Sequence, residues 1–456
     1  MVARRIRLLL LPLLLLGLCS HFGAAPAGAS RGHHKSKSKP SPRPAPPPPR
    51  APAAATFDVV SFGAKGDGLT DDTKAFEASW AAACKQEGST VVVPSGHVFL
   101  VGQISFAGPC KPNIIFQLDG TIVAPTSPKA WRSGTLQWLE FRKLAQGITI
   151  RGDGVIEGKG SAWWPSKSHL ISENQTGSQL EGKMPGTRPT AVRFYGSYNV
   201  IVTGIQIRNS AKCHLKFDNC EAVQVFNLSV SSPGDSPNTD GIHLQNSANV
   251  VIHDVDLSCG DDCISIQTGC SAVYVHDVRC GPGHGISIGG LGMDGTKACV
   301  SNVTVRGVTL SNTMTGVRIK TWQGGSGSVR NIRFSDIVMK DVRTAITIDQ
   351  FYCDGGRCRN QSSAVAVSDV YYTNIRGTYT DWPVYLACSD SVPCLGISLA
   401  DVELEAAAAQ DDSRGHDPFC WQAYGKLQAP TVPPIRCLKS NKSVDNWSSS
   451  TTEYSC

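Results

Sequence analysis

Asp240, Asp262 and His284 each open a copy of a short phrase that this chain repeats, with Asp261 beside the second copy and Arg318 and Lys320 in the last. The copies read Asp240-Gly-Ile-His-Leu244, Asp262-Cys-Ile-Ser-Ile266, His284-Gly-Ile-Ser-Ile288 and Thr315-Gly-Val-Arg-Ile319, the first three 22 residues apart. A repeat of that length whose titratable residues keep one position suggests stacked coils that gather them into a column. Strands in neighbouring coils lie roughly 4.8 Å apart, so Asp240, Asp262 and His284 should rise as a ladder at that pitch. Stacked carboxylates repel, which is a liability in a structural column and an asset where one group must hold a proton for acid/base work. Arg318 and Lys320 add a seat for a negatively charged group of a substrate.

Singly, these residues are ordinary. Paired aspartates occur at positions 71/72, 261/262 and 411/412, and such a pair is usually a turn or a helix start. A lone Gly-His-Gly is more often a loop, and an Arg or Lys on a strand is more often a solvated charge. The glycine-rich stretch from Gly63 to Gly68 lacks the Gly-Lys-Ser/Thr ending of a phosphate loop and fits a turn instead. Only their shared repeat makes the group a site.

The elements that must position the group are short β-branched runs, among them Asn199-Val-Ile-Val202, Asn249-Val-Val-Ile252, Asn302-Val-Thr-Val305 and Asn331-Ile-Arg-Phe334. Most are followed within a few residues by a second run, giving about three strands per coil with apolar residues inward and polar ones outward. Asn at the run starts fits tight turns and side-chain ladders between coils. The repeat length and the scarcity of two-residue hairpin turns favour an all-β, right-handed parallel β-helix over a β-sandwich. One helix is expected over Thr70–Ala83, capped by Thr70 or Asp71, with Phe76, Trp80, Ala83 and Cys84 on one face and the open end of the solenoid beneath it. Strict alternation would send Asp240, Asp262 and His284 into the core, two residues before inward-facing Ile242, Ile264 and Ile286. The chain must bend at the strand entrance, and Gly241, Gly260, Gly283 and Gly285 make that bend easy.

Residues 1–29 have a basic start, an apolar run from Leu8 to Leu18 and an Ala27-Gly28-Ala29 step, the pattern of a secretory signal. The run is broken by Pro12 and falls short of the roughly 20 apolar residues of a membrane span, so no integral membrane segment is expected. Residues 30–56 form a basic, Pro-rich spacer with little to bury, read as a disordered linker. From Phe57 to the end the chain carries 34 Lys+Arg against 37 Asp+Glu, so the net charge of +6 comes from the leading segment. A basic arm before a non-basic body suits attachment to an extracellular polyanion, and equally a solvated linker without a partner; nucleic acid is not expected. Of 17 cysteines, 16 lie beyond the signal, and an oxidising compartment makes most of them disulfides. The spacings Cys213/Cys220, Cys353/Cys358 and Cys388/Cys394 look like local staples, whereas Cys84 and Cys110 can tie the helix to the body. No C-x-x-C pair occurs, and no metal or cofactor is expected. Acceptor triplets for glycosylation begin at Asn174, Asn227, Asn302, Asn360, Asn441 and Asn446.

Asn238-Thr239-Asp240-Gly241, Gly260-Asp261-Asp262-Cys263, Gly283-His284-Gly285 and Arg318-Ile319-Lys320, in this order and spacing, closely resemble the polygalacturonases, pectin-hydrolysing glycoside hydrolases built on a right-handed parallel β-helix. The resemblance runs from Phe57 to about Cys437 and includes Gly152-Asp-Gly-Val-Ile-Glu-Gly158 and Gln350-Phe-Tyr-Cys353. It implies hydrolysis of α-1,4 bonds in homogalacturonan with inversion, by a secreted monomer of the cell wall. It further implies Asp261 as general acid, Asp240 and Asp262 activating water, His284 tuning the acid, and Arg318, Lys320, Asn238 and Tyr352 holding the substrate. The general spacing rule for inverting carboxylates, roughly 6.5–9.5 Å, exceeds a one-coil step and by itself points to retention. Rival readings are a hydrolase of rhamnogalacturonan or xylogalacturonan, a calcium-dependent pectate lyase and a non-catalytic pectin-binding protein.

Overall fold

The computed structural model describes residues 55–132, 134–164, 184–354, 358–407, 415–440 and 456. The signal reading, nearly all of the linker, and the acceptors Asn174, Asn441 and Asn446 lie outside them.

The strands pair in parallel, and from Thr190 to Ser231 each pairs with the third strand onward in sequence, so three strands make one coil; further along, adjoining strands of a coil run together into longer ones. Leu215–Asp218, Ile242–Gln245, Ile264–Ile266 and Ile286–Leu291 stack as one wall. Register is set by burial: Ile242, Ile264, Ile286 and Val317 are opposite one another and fully buried, while Lys216, His243, Ser265, Ser287 and Arg318 line up on the outward face. A slip of one residue would turn every apolar side chain outward. The fold is a parallel β-helix.

The turns follow from side-chain chemistry. Asn199, Asn227, Asn249, Asn302 and Asn331 all take left-handed φ between 49° and 56°, a region Asn tolerates better than the apolar residues it precedes. The Asn331 Nδ2 donates to Asn302 Oδ1 at 2.7 Å, a rung of the expected ladder.

A helix spans Thr73–Ala83 and buries Phe76, Trp80 and Ala83 against the first coils. Its start differs from the sequence expectation, because Asp67–Asp71 forms a strand paired with Val98–Leu100 and so claims Thr70 and Asp71. Asp71 still accepts from the Thr73 backbone N–H at 3.0 Å, whereas the Asp72 carboxylate turns back to the amides of Lys65 and Gly66. Trp80 packs edge-on to Phe106 at 5.2 Å and donates its indole N–H to the Ala107 carbonyl, and Cys84–Cys110 closes the same end. Among the described residues, no helix is long and apolar enough to cross a membrane.

Cys353–Cys358 and Cys388–Cys394 are disulfides, as their spacing indicates. Cys213 and Cys220 are not; both are buried free thiols. The strand Leu215–Asp218 lies between them, and its three extended steps alone hold them apart by about 10 Å, beyond the reach of a disulfide.

Candidate active site

Asp240, Asp262 and His284 occupy equivalent places in successive coils, just before the strands that begin at Ile242, Ile264 and Ile286. The ladder of amides confirms the step: Gly241 donates to the Asp262 carbonyl at 3.0 Å and Cys263 to the Gly285 carbonyl at 2.8 Å. The glycines permit the bend for two different reasons. Gly285 takes φ +84°, where an L side chain is strained. At Gly241 and Gly260 the matter is clearance, since a Cβ would sit 2.5 Å from the Cys263 carbonyl oxygen and 1.9 Å from that of Ser236.

The side chains do not pair as the simple ladder predicts. Asp261, not Asp262, meets His284, with Oδ1 3.1 Å from Nδ1. Asn238, held at a left-handed φ of 56°, donates to Asp261 Oδ2 at 3.2 Å. Asp262 is driven below the surface, its side chain 3% exposed, and accepts from Arg318 at 2.8 Å, Lys320 at 2.9 Å and Ser287 at 2.8 Å. The two cations expected to hold the substrate therefore also balance a buried carboxylate of the site. Asp240, more open, accepts from Ser265 Oγ at 2.8 Å, with His243 at 3.6 Å.

Burial pushes the Asp261 carboxyl up, but the His284 hydrogen bond and charge, the Lys320 charge and the Asp262 amide together bring it down to about 2. Tyr352 lies beside this group, its ring 5.1 Å from the Lys320 ammonium and edge-on to Trp322. Burial, helped by the Asp354 charge, raises its phenol to about 12, so it remains a hydrogen-bond donor.

Sequence reasoning missed Arg188 and His214. Arg188, in an irregular segment before the strand Thr190–Tyr195, donates to Asn238 Oδ1 and to the Pro237 carbonyl, both at 2.6 Å, and so braces the residue that touches Asp261. It belongs to no repeat and carries no local signal. His214 lies fully buried beneath Asp240, donating to its carbonyl at 2.8 Å and accepting from Ser232 at 2.7 Å. Burial pulls this imidazole down to about 4, and the hydrogen bonds that oppose it are smaller. The unfolded chain binds the proton more readily, so stability should fall as pH drops from the ordinary 6.5 towards 4, by roughly 3 kcal/mol at most. Urea unfolding followed from pH 7 to 4 should show this slope in the wild type and a flatter one in His214→Gln; equal slopes would refute it.

One oxygen of Asp261, one of Asp262 and a ring nitrogen of His284 lie within 4.8 Å of one another, close enough to surround a metal ion. The donor chemistry argues otherwise, because Asp262 is already neutralised by two cations. What the cluster offers is a hydrogen-bonded carboxyl and imidazole, Asp261 with His284, beside two further carboxylates, Asp240 and Asp262.

Residues 84–416 match the family described as Glycosyl hydrolases family 28. A polygalacturonase of Cryptomeria japonica is 41% identical over 391 residues, 85% of this chain and 74% of that protein. A polygalacturonase of Malus domestica is 44% identical over 360 residues, 78% and 76% of the two chains. Among solved structures, a hyperthermoactive exopolygalacturonase from Thermotoga maritima superposes with a TM-score of 0.63 at 25% identity, covering 78% of this chain and 89% of that one. An endo-xylogalacturonan hydrolase from Aspergillus tubingensis superposes at 0.66 with 23% identity, covering 85% and 98%, a likeness of fold.

Proposed function

This chain belongs to glycosyl hydrolase family 28, and on that premise we propose that it cleaves the α-1,4 bonds of pectic homogalacturonan with inversion, as a secreted enzyme of the cell wall. The observation that carries this reading is the Asp262–Arg318–Lys320 cluster set beside Asp261 and Asp240, since a polymer with a carboxylate on every sugar needs cations next to the carboxylates that react.

Asp261 is the general acid. A carboxyl held near 2 carries no proton at mildly acidic pH, so the substrate must raise it. Galacturonan brings like charges and expels water, and both push a neighbouring carboxyl up. His284, 3.1 Å from Asp261, orients the acid through their hydrogen bond. Asp240 and Asp262 hold the attacking water and take its proton as the bond breaks. Arg318 and Lys320 keep Asp262 in place and leave their remaining N–H donors for the carboxylate of the adjoining sugar, with Tyr352 against that ring. Asn238 orients Asp261. Asn227, Asn302 and Asn360 are exposed and are our candidates for glycans, although Asn302 already accepts from its neighbour in the Asn ladder.

Proton NMR of the first-formed anomer from polygalacturonate tests the stereochemistry: the inverted anomer should appear first, and retained product would refute the assignment. The same reaction should be indifferent to EDTA. A calcium-dependent lyase would stop in EDTA and release unsaturated, ultraviolet-absorbing ends instead of simple reducing sugars.

A further inference from the structure

The outward file that carries Arg318 continues in both directions along the same wall, and its two ends differ in chemistry. Towards the N-terminal coils it passes through His243 and Lys216 to Arg193. Towards the C-terminal coils it passes through Thr347 to Tyr385 and Phe419.

The first end is cationic. Arg188, Arg193, Lys212 and Lys216 border a cavity of about 530 Å³ that also reaches Asn238, the residue touching Asp261. Arg193 is balanced by Glu140 and Asp218. Lys216 instead donates to the neutral amide of Gln245, and Arg188 to Asn238 and a carbonyl, while Lys212 is exposed. These groups keep charge available for an incoming carboxylate.

The other end is aromatic and acidic. Trp382 stacks on His416 at 4.2 Å, Tyr385 stacks on Phe419 at 5.1 Å, and Trp382 stands edge-on to both Tyr385 and Phe419. All three large rings are only partly buried. Asp349 lies opposite Lys320 in the register, between the catalytic coils and these rings, and Asp381 takes up both Arg343 and His416. A free galacturonate arriving here meets Asp349, and the cations beside the rings, Arg343 and His416, are already engaged by Asp381. A methyl ester removes that repulsion and adds an apolar group, and aromatic faces suit the C–H face of a neutral sugar ring.

We propose that the groove reads its polymer asymmetrically, binding free galacturonates over the cationic coils and methyl-esterified ones over the Trp382–Tyr385–Phe419 platform, so that cleavage is favoured at boundaries between de-esterified and esterified stretches. This rests on the polygalacturonan-hydrolysing function proposed above.

The test is mass-spectrometric sequencing of fragments released from randomly part-esterified homogalacturonan. Fragments from the wild type should carry methyl esters about three- to tenfold enriched on one side of the cut over the other, the range expected of an aromatic contact. Trp382→Ala should bring that ratio close to one, and the double variant Lys212→Gln, Lys216→Gln should weaken the preference for free carboxylates on the opposite side. Esters spread evenly about the cut in the wild type would overturn the proposal without any variant being needed. So would an unchanged ratio in a Trp382→Ala protein that unfolds at the wild-type urea concentration. If no fragments were released from any galacturonan, the hydrolase reading itself would fall, and this proposal with it.

Discussion

Asp261→Asn should lower kcat on polygalacturonate by about 10²–10⁴-fold, the usual contribution of a positioned acid or base, while oligogalacturonate binding measured by calorimetry is largely retained. The amide keeps the shape of the carboxyl and can still meet His284 and Asn238, but it cannot deliver a proton to the glycosidic oxygen. Stability supplies an independent check. Because the folded Asp261 is held at about 2, below its ordinary 3.8, its contribution is fully present above pH 4 and is lost as pH falls through 2. The variant should therefore be less stable than the wild type by at most about 2 kcal/mol at neutral pH, the two converging in strong acid. Wild-type turnover in this variant would end the general-acid assignment.

Asp262→Ala should show the other large effect, and it falls on folding as much as on catalysis. Arg318 and Lys320 have side chains only 7% and 8% exposed, and this carboxylate accepts from both. Removing it leaves two buried cations without that partner, which costs about 3–5 kcal/mol where a buried pair is broken from one side. Denaturant unfolding should show that loss, and adding Lys320→Met to Asp262→Asn should recover part of it without restoring turnover. An unchanged unfolding midpoint in Asp262→Ala would mean that the buried cluster does not hold this wall together.

Much of this arrangement is legible in the sequence because a solenoid converts spacing into position. The interval of 22 residues places Asp240, Asp262 and His284 in successive coils, and the alternation around Ile264 and Ile286 puts Ser265, Ser287 and Arg318 on one face. The local staples at Cys353–Cys358 and Cys388–Cys394 are equally plain. What escaped is what depends on side-chain direction within a bend. Spacing cannot say that Asp262 dives under Arg318 and Lys320, and the meeting of Asp261 with His284 is implied only by the family resemblance. Arg188 and His214 escaped because each acts through a contact far away in sequence, and Cys213 and Cys220 misled because short spacing matters only where the intervening chain turns back.

From His284 to Thr315 the phrase recurs after 31 residues instead of 22, yet Ile286 still lies opposite Val317 and Ile288 opposite Ile319. Most of the surplus falls between Ile288 and Val300, where the strand Ile286–Leu291 runs past its partner Ile264–Ile266 and the short turn Met293–Gly295 follows. Such a scaffold has elastic joints between rigid treads. Descendants of one ancestral gene can lengthen or trim those joints, remodelling the rim around the bound polymer, while the reacting groups stay where the treads put them.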